Sequence, residues 1–329
     1  MSKICKLLYV YEDRIPENLR NFVLNSFSED EFEIKKMTYA LPDIGKKKLL
    51  QWADVVFFAP GRYLPDDILY SARHIKLMQL WSSGFDKFNT DSARKYGIPV
   101  ANNGGSNAQS VAEHTVLLML SIYKWLPDSY DRTVNGRWSG NSHGMDMYTL
   151  RNKTIGIIGF GKIGRLVARI VNGFGMKILY YDIQRASNGI EDDLNAEFVE
   201  QEELYKRSDI ITLHLHLNDH TKEMIGRKEF AIMKNSAVFI NVSRAQLTDN
   251  SALLEALNER KIWAAGLDVF ENEPTSPNDP LLVHPHVVAT PHMAGSTHDA
   301  YKASMVNSLG NIRRVISGEK PFWIVNGVD

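Results

Sequence analysis

The sequence predicts an α/β protein built on two parallel sheets with crossover helices. Short apolar runs alternate with helical patterns almost throughout. At 329 residues the chain is longer than one small core requires. The alternation also opens twice, once at the N-terminus and again at Lys153.

In the first series, strands are expected at 6–11 (KLLYVY), 32–37, 54–59, 77–81 and 99–102, with helical patterns at about 16–27, 43–52, 65–73 and 89–96. Each gap is long enough for a crossover. "SNAQSVAEHTVLLMLSIYKWL" follows; Ser106 and Gln109 have capping-box spacing, and the apolar residues on most faces predict a long buried helix. Residues 135–148 form a polar, Gly-containing loop. The second series places strands near 154–158, 177–182, 209–213, 237–241, 264–268 and 287–290, and the segment 298–318 has helical spacing and ends at Gly318.

Hydrophobic residues make up 44% and charged residues 23%, an ordinary soluble mix, and 38 basic residues nearly cancel 39 acidic ones. No global field recruits nucleic acid or an anionic membrane, so any anion site has to be local. The single cysteine, Cys5, sits in "KICKLLYVY" and reads as a small buried hydrophobe. It cannot form an internal disulfide, which fits a reducing compartment. The N-terminus has no secretory h-region, and the most apolar later run, Thr115 to Tyr123, is far short of the roughly 20 residues of a membrane span. The expectation is a cytoplasmic protein.

The segment "GIIGFGKIGRLVARIVNGFGMKILYYD" carries the first chemistry. Gly159 permits a tight turn, Gly161 lets the backbone approach a pyrophosphate, and Gly164 allows close helix–strand packing. Amide groups and dipole at the helix start favour the phosphate charge. Asp182 closes the next apolar run, where a carboxylate accepts hydrogen bonds from an adenosine ribose and repels a 2′-phosphate. NAD is therefore favoured over NADP, although Arg185, three residues on, could meet a 2′-phosphate. No metal is called for.

Three later segments end apolar runs with polar residues, where open α/β sheets place ligands: "AVFINVSRAQLTD" with Arg244, "WAAGLDVFENEP" with Asp268, Glu271 and Glu273, and "HVVATPHMAGST" with His292. A guanidinium fork binds two carboxylate oxygens, an imidazole gives or takes a proton near neutral pH, and a glutamate beside it stabilises the imidazolium. Arg, Glu, His and a nicotinamide are what hydride transfer to a 2-keto acid requires. Taken singly, each is also a plausible salt-bridge, loop or turn residue.

Five motifs in order, "GSNAQSVAEHTVLLML", "KTIGIIGFGKIG", "INVSRA", "GLDVFENEP" and "TPHMAGST", resemble the NAD-dependent D-isomer-specific 2-hydroxyacid dehydrogenases. The resemblance implies two flavodoxin- or Rossmann-like doubly wound domains with the active site in the cleft between them: a substrate domain of residues 1–101 completed by 297–329, and an NAD-binding domain of 102–296. It implies that Arg244 binds the substrate carboxylate and carbonyl oxygen, that His292 is the general acid or base, and that Glu273 pairs with it. Asp268 would hold the nicotinamide carboxamide. Gly159, Gly161, Lys162, Ile163, Gly164, Asp182, His214, Thr221, Val242, Ser243 and Gly295 would complete the coenzyme site. The turn Ser82, Ser83, Gly84 would cradle the substrate carboxylate, His114 would be structural, and the helix from Ser106 would serve a homodimer.

Some residues depart from the family pattern. Ala245 occupies a glycine position after the arginine, and His216 stands where a proline commonly follows the fourth strand. Ser83 replaces the lysine of phosphite dehydrogenases, which disfavours phosphite. Arg62, in "APGRYLPDD", lies near the phosphate-binding arginines of phosphoglycerate dehydrogenases without clear register. The alternatives to a dehydrogenase of glyoxylate, hydroxypyruvate or a similar acid are thus phosphite oxidation and a non-catalytic NAD-sensing protein of the same fold. Trp81 and Trp138 are aromatic candidates for lining the substrate site, with ordinary packing as the alternative.

Overall fold

The computed structural model describes residues 4–138, 140, 141 and 143–328. The chain divides into two compact units, Met1–Asn107 with His298–Asp329, and Ala108–Thr297.

The first unit holds β1 (Cys5–Tyr11), α1 (Glu17–Asn25), β2 (Phe32–Thr38), α2 (Asp43–Trp52), β3 (Val55–Ala59), α3 (Asp66–Ser71), β4 (Leu77–Leu80), α4 (Thr90–Lys95) and β5 (Val100–Ala101). Its five parallel strands run in the order β2-β1-β3-β4-β5, the flavodoxin order. Parallel strands are covered on both faces, which is why β3, VVFFA, is buried at every residue. One face carries Leu8, Val10, Phe58 and Leu80; the other carries Leu7, Tyr9, Phe57 and Trp81 with Met305 and Ile312 of the C-terminal helix His298–Ile316. Cys5 is buried in this second cluster, and burial with the Asp54 charge pushes its thiol up to about 12, consistent with a packing role.

Residues 102–107 belong to this unit rather than to the next. The Asn102 N–H donates to the Trp323 carbonyl at 3.1 Å, and Asn103 Nδ2 donates to the Trp81 carbonyl and Ser304 Oγ. The compact units meet at 107/108 and 297/298, within a few residues of the 101/102 and 296/297 domain limits that the family resemblance implies.

The second unit opens with α5 (Ala108–Tyr123) and α6 (Leu126–Val134), followed by β6 (Thr154–Ile158), α7 (Lys162–Asn172), β7 (Lys177–Tyr181), α8 (Asn188–Leu194), β8 (Ala196–Phe198), α9 (Gln201–Arg207), β9 (Ile210–Leu213), α10 (Arg227–Ile232), β10 (Val238–Asn241), α11 (Asn250–Asn258), β11 (Ala264–Leu267) and β12 (Val287–Ala289). The predicted long helix is α5, and α6 follows it as a separate helix after Trp125, which takes a left-handed φ of 51°. The expected capping box does not form, because Ser106 Oγ bonds Ser304 Oγ and Gln109 reaches Glu113. Of the expected polar loop 135–148, residues 139 and 142 lie outside the described residues.

Seven parallel strands run β12-β11-β10-β9-β6-β7-β8. From β6 the sheet grows outward through β7 and β8 on one side and through β9 to β12 on the other. The order reverses between β6 and β9, which makes that edge the topological switch point where open sheets bind ligands. α5 is buried on most faces because it packs across this sheet, with Val111, Val116 and Met119 in one core with Ile155, Ile240 and Ala294.

Candidate active site

The loops after β6 and β9 meet at the switch point. Gly159 has φ +94°, and a Cβ there would lie 2.5 Å from the His214 carbonyl oxygen. At Gly164 a Cβ would lie 2.2 Å from the Gly159 carbonyl oxygen, so α7 seats directly against the turn. Gly161 differs: a Cβ there meets nothing within 4 Å, and its φ is an ordinary −75°. The protein's own packing requires glycine at 159 and 164 but not at 161. That is the pattern expected if the open position is a cradle for a ligand's phosphates, so the residues present fit a dinucleotide.

Asp182, just past β7, accepts the Phe160 N–H at 2.6 Å and the Gln184 N–H at 3.3 Å, which aligns its carboxylate with the glycine turn. Lys162 and Ile163 form the first turn of α7. His214 Nε2 lies 3.1 Å from Thr212 Oγ1, while its buried Nδ1 has no partner among the described residues; burial pulls the imidazole down to about 3, so it is neutral. Thr221 Oγ1 donates to the His216 carbonyl at 2.7 Å, tying down the exposed loop that carries His216.

Arg244 follows β10 in a turn organised by Asn241. Asn241 Oδ1 accepts the Ser243 N–H, its Nδ2 donates to the Arg244 carbonyl, and Ser243 Oγ donates to the Leu213 carbonyl. Val242 is buried in the core beneath. Ala245 starts the 3₁₀ turn Ala245–Leu247 and is buried, with no positive φ, so this turn does not need glycine.

His292 follows β12 with φ 53°. Its Nδ1 lies 2.9 Å from both Oε1 and Oε2 of Glu273, and the two side chains are 41% and 20% exposed. The turn holding His292 is fastened from below by Asp268, which is fully buried. Asp268 accepts Thr290 Oγ1–H at 2.6 Å and the N–H groups of Met293 and Ala294 at 2.9 and 2.8 Å. Having given its one proton to Asp268, the Thr290 hydroxyl accepts from His114 Nε2 at 2.9 Å. Burial lowers the His114 pKa, so this buried, neutral ring is a structural member of the network. Gly295 lies one residue beyond the fastened amides. Glu271 is exposed and accepts from Asn250, away from the imidazole.

In the first unit, Ser82 Oγ donates to the Gly84 carbonyl, Ser83 Oγ lies 2.6 Å from Oδ1 of both Asn103 and Asn107, and Asn102 Nδ2 donates to the Ser83 carbonyl. Trp81 is buried and stacks on Tyr301 at 5.1 Å, a packing role; Trp138 is 87% exposed. Arg62 is paired with Glu12 at 2.5 Å.

The structure therefore brings together Glu273 with His292, Asp268 with the His292 turn, and the glycine turn with Asp182 and His214. It adds Thr290 and Asn241, which sequence reasoning missed. Their only sequence signal is a hydroxyl two residues before His292 and an amide at a strand end.

The family description "D-isomer specific 2-hydroxyacid dehydrogenase, NAD binding domain" matches residues 116–294. The chain is 36% identical over 265 residues to a glyoxylate reductase of Thermococcus litoralis, covering 79% of this chain and 80% of that protein. It is 37% identical over 276 residues to a D-3-phosphoglycerate dehydrogenase of Methanocaldococcus jannaschii, covering 83% of this chain and about half, 52%, of that longer protein. The D-mandelate dehydrogenase structure of Rhodotorula graminis shares the fold with a TM-score of 0.86 at 24% identity, covering 99% of each chain. The chain belongs to the D-isomer-specific 2-hydroxyacid dehydrogenase family and is an NAD-linked oxidoreductase.

Proposed function

We propose that the protein interconverts a short 2-keto acid, glyoxylate or hydroxypyruvate, and the corresponding D-2-hydroxy acid. The observation that carries this reading is the His292–Glu273 pair, at 2.9 Å to both carboxylate oxygens, on the same C-terminal sheet edge as Arg244 and the glycine turn. The bound nicotinamide supplies or accepts the hydride at substrate C2. In reduction, His292 donates the Nε2 proton to the carbonyl oxygen as charge develops there, and Glu273 keeps Nδ1–H oriented and stabilises the imidazolium. In oxidation the same nitrogen receives the hydroxyl proton. Arg244 binds the carboxylate and carbonyl oxygens through its fork, which fixes the reacting carbon.

Lys162, Ile163, His214, Thr221, Val242, Ser243 and Gly295 are assigned to the coenzyme with Gly159, Gly161, Gly164, Asp182 and Asp268. Ser82, Ser83 and Gly84 are assigned to the substrate carboxylate: among the described residues their amide N–H groups donate to no other residue, which leaves them for an anion. We further propose a homodimer. Its support is the apolar face of α6, where Leu126, Tyr130 and Val134 recur at helical spacing and are 51, 68 and 60% exposed. A cytoplasmic location is supported by the single, buried Cys5.

The test is NADH consumption with glyoxylate, hydroxypyruvate and pyruvate, beside NAD reduction with phosphite. Turnover of a keto acid supports the proposal. Turnover of phosphite alone, or coenzyme binding without turnover of any acid, refutes it.

A further inference from the structure

Arg185, three residues past Asp182, is the cation the sequence offers to a 2′-phosphate, yet its fork is already occupied. Its Nε and Nη2 donate to Oε1 and Oε2 of Glu191, each at 2.9 Å, and its guanidinium lies 5.4 Å from the Phe198 ring centroid. Glu191, on α8, is held in turn by the Tyr180 hydroxyl, whose oxygen accepts the Ala186 N–H at 3.0 Å. Hydrogen bonds from Arg185 and then Tyr180 pull the Glu191 carboxyl down to about 2, so the acid stays ionised at any working pH. The carboxylate is only 11% exposed while the arginine is 59% exposed, so the acid is the fixed partner and the guanidinium is brought to it.

We propose that Glu191 is a second determinant of coenzyme choice: its two-point ion pair withholds the Arg185 guanidinium from the 2′-phosphate of NADP, while Asp182 repels that phosphate directly. The inference rests on the proposed placement of the adenosine ribose at Asp182. Glu191 is a positioning residue that acts through Arg185 and touches no coenzyme. Discrimination is then built in two layers. Removing the Asp182 charge alone lifts the repulsion but supplies no cation. Removing both acids leaves a free fork beside the ribose edge, suited to two phosphate oxygens.

The test measures NADH and NADPH dissociation constants by titration calorimetry on the intact protein. The proteins are wild type, Asp182→Ser, Asp182→Ser with Glu191→Gln, and that double variant with Arg185→Ala. Glutamine keeps an oxygen for the Tyr180 hydroxyl and loses only the charge. The double variant is expected to bind NADPH about tenfold tighter than Asp182→Ser, the scale of one exposed charge-assisted contact. NADH affinity should move less than about twofold, and Arg185→Ala should abolish the gain. Should the glutamine variant fail to fold, Glu191→Asp, which keeps the charge but is too short for both prongs, is expected to move NADPH affinity the same way. Equal NADPH affinity with and without the Glu191 change, or a gain that survives Arg185→Ala, overturns the inference. If Asp182→Ser leaves the NADH-to-NADPH preference unchanged, the ribose placement falls and the inference with it.

Discussion

Nδ1 of His292 stands 2.9 Å from both carboxylate oxygens of Glu273, in a residue whose φ of 53° only a well-supported turn tolerates. One nitrogen of the ring is thereby committed to Glu273, and in the proposed reaction the other carries the proton. His292→Ala is expected to lower kcat by about 10²- to 10⁴-fold, and Glu273→Gln, which keeps shape but not charge, by about 10²-fold. Steady-state kinetics check both. Rates within about twofold of wild type for His292→Ala would remove it from the chemistry.

The support beneath that turn is Asp268. Asp268→Ala leaves the Met293 and Ala294 amides and the Thr290 hydroxyl without their acceptor, at a cost of about 3 kcal/mol or more. Denaturant unfolding should show the loss, and kcat should fall as His292 loses its position.

The three glycines separate packing from ligand binding. Gly164→Ala forces a Cβ to 2.2 Å from a backbone oxygen and is expected to destabilise the protein by about 1–3 kcal/mol. Gly161→Ala meets nothing and should leave stability within about 0.5 kcal/mol while weakening NADH binding. Thermal unfolding together with NADH titration tests the contrast. Equal effects of the two substitutions on both measurements would contradict it.

His214 sets an acid limit on stability. Its pKa is lowered by burial to about 3 in the folded protein, against an ordinary value of 6.5. Between those values the unfolded chain binds a proton that the folded one does not, so stability is full above about pH 6.5 and falls as the pH drops. The contribution is at most about 1.4 kcal/mol per pH unit, and His214→Gln should flatten the slope between about pH 6 and 4.5 by that much. An unchanged slope in the variant would show that the imidazole is hydrated in the native state.

The two α/β series, most strands and the glycine turn were legible because they rest on local patterns: apolar runs of strand length, a turn whose positive φ calls for glycine at 159, and a helix that packs against it through Gly164. The Glu273–His292 pairing came from family resemblance, since a separation of 19 positions carries no spacing rule. Buried polar groups were the harder part. Asn103 and Ser304 join across 201 residues, and Thr290 joins His114 across 176, partnerships that depend on tertiary placement and leave no periodicity to read. The Ser106–Gln109 box failed for the same reason: a distant hydroxyl outcompeted the local cap. Strand β8, with only three residues, was too short to register as an apolar run.

The first unit is assembled from two stretches far apart in sequence, Met1–Asn107 and His298–Asp329. Its strand β5 is completed by Asn326, whose side chain accepts from the Val100 N–H and donates to the Ile98 carbonyl across more than 220 residues. Replacing Asn326 by alanine would strip the Val100 N–H and the Ile98 carbonyl of their partner and loosen the five-stranded sheet at its β5 margin, while the seven-stranded sheet, whose strands all lie between Thr154 and Ala289, would keep its pairing.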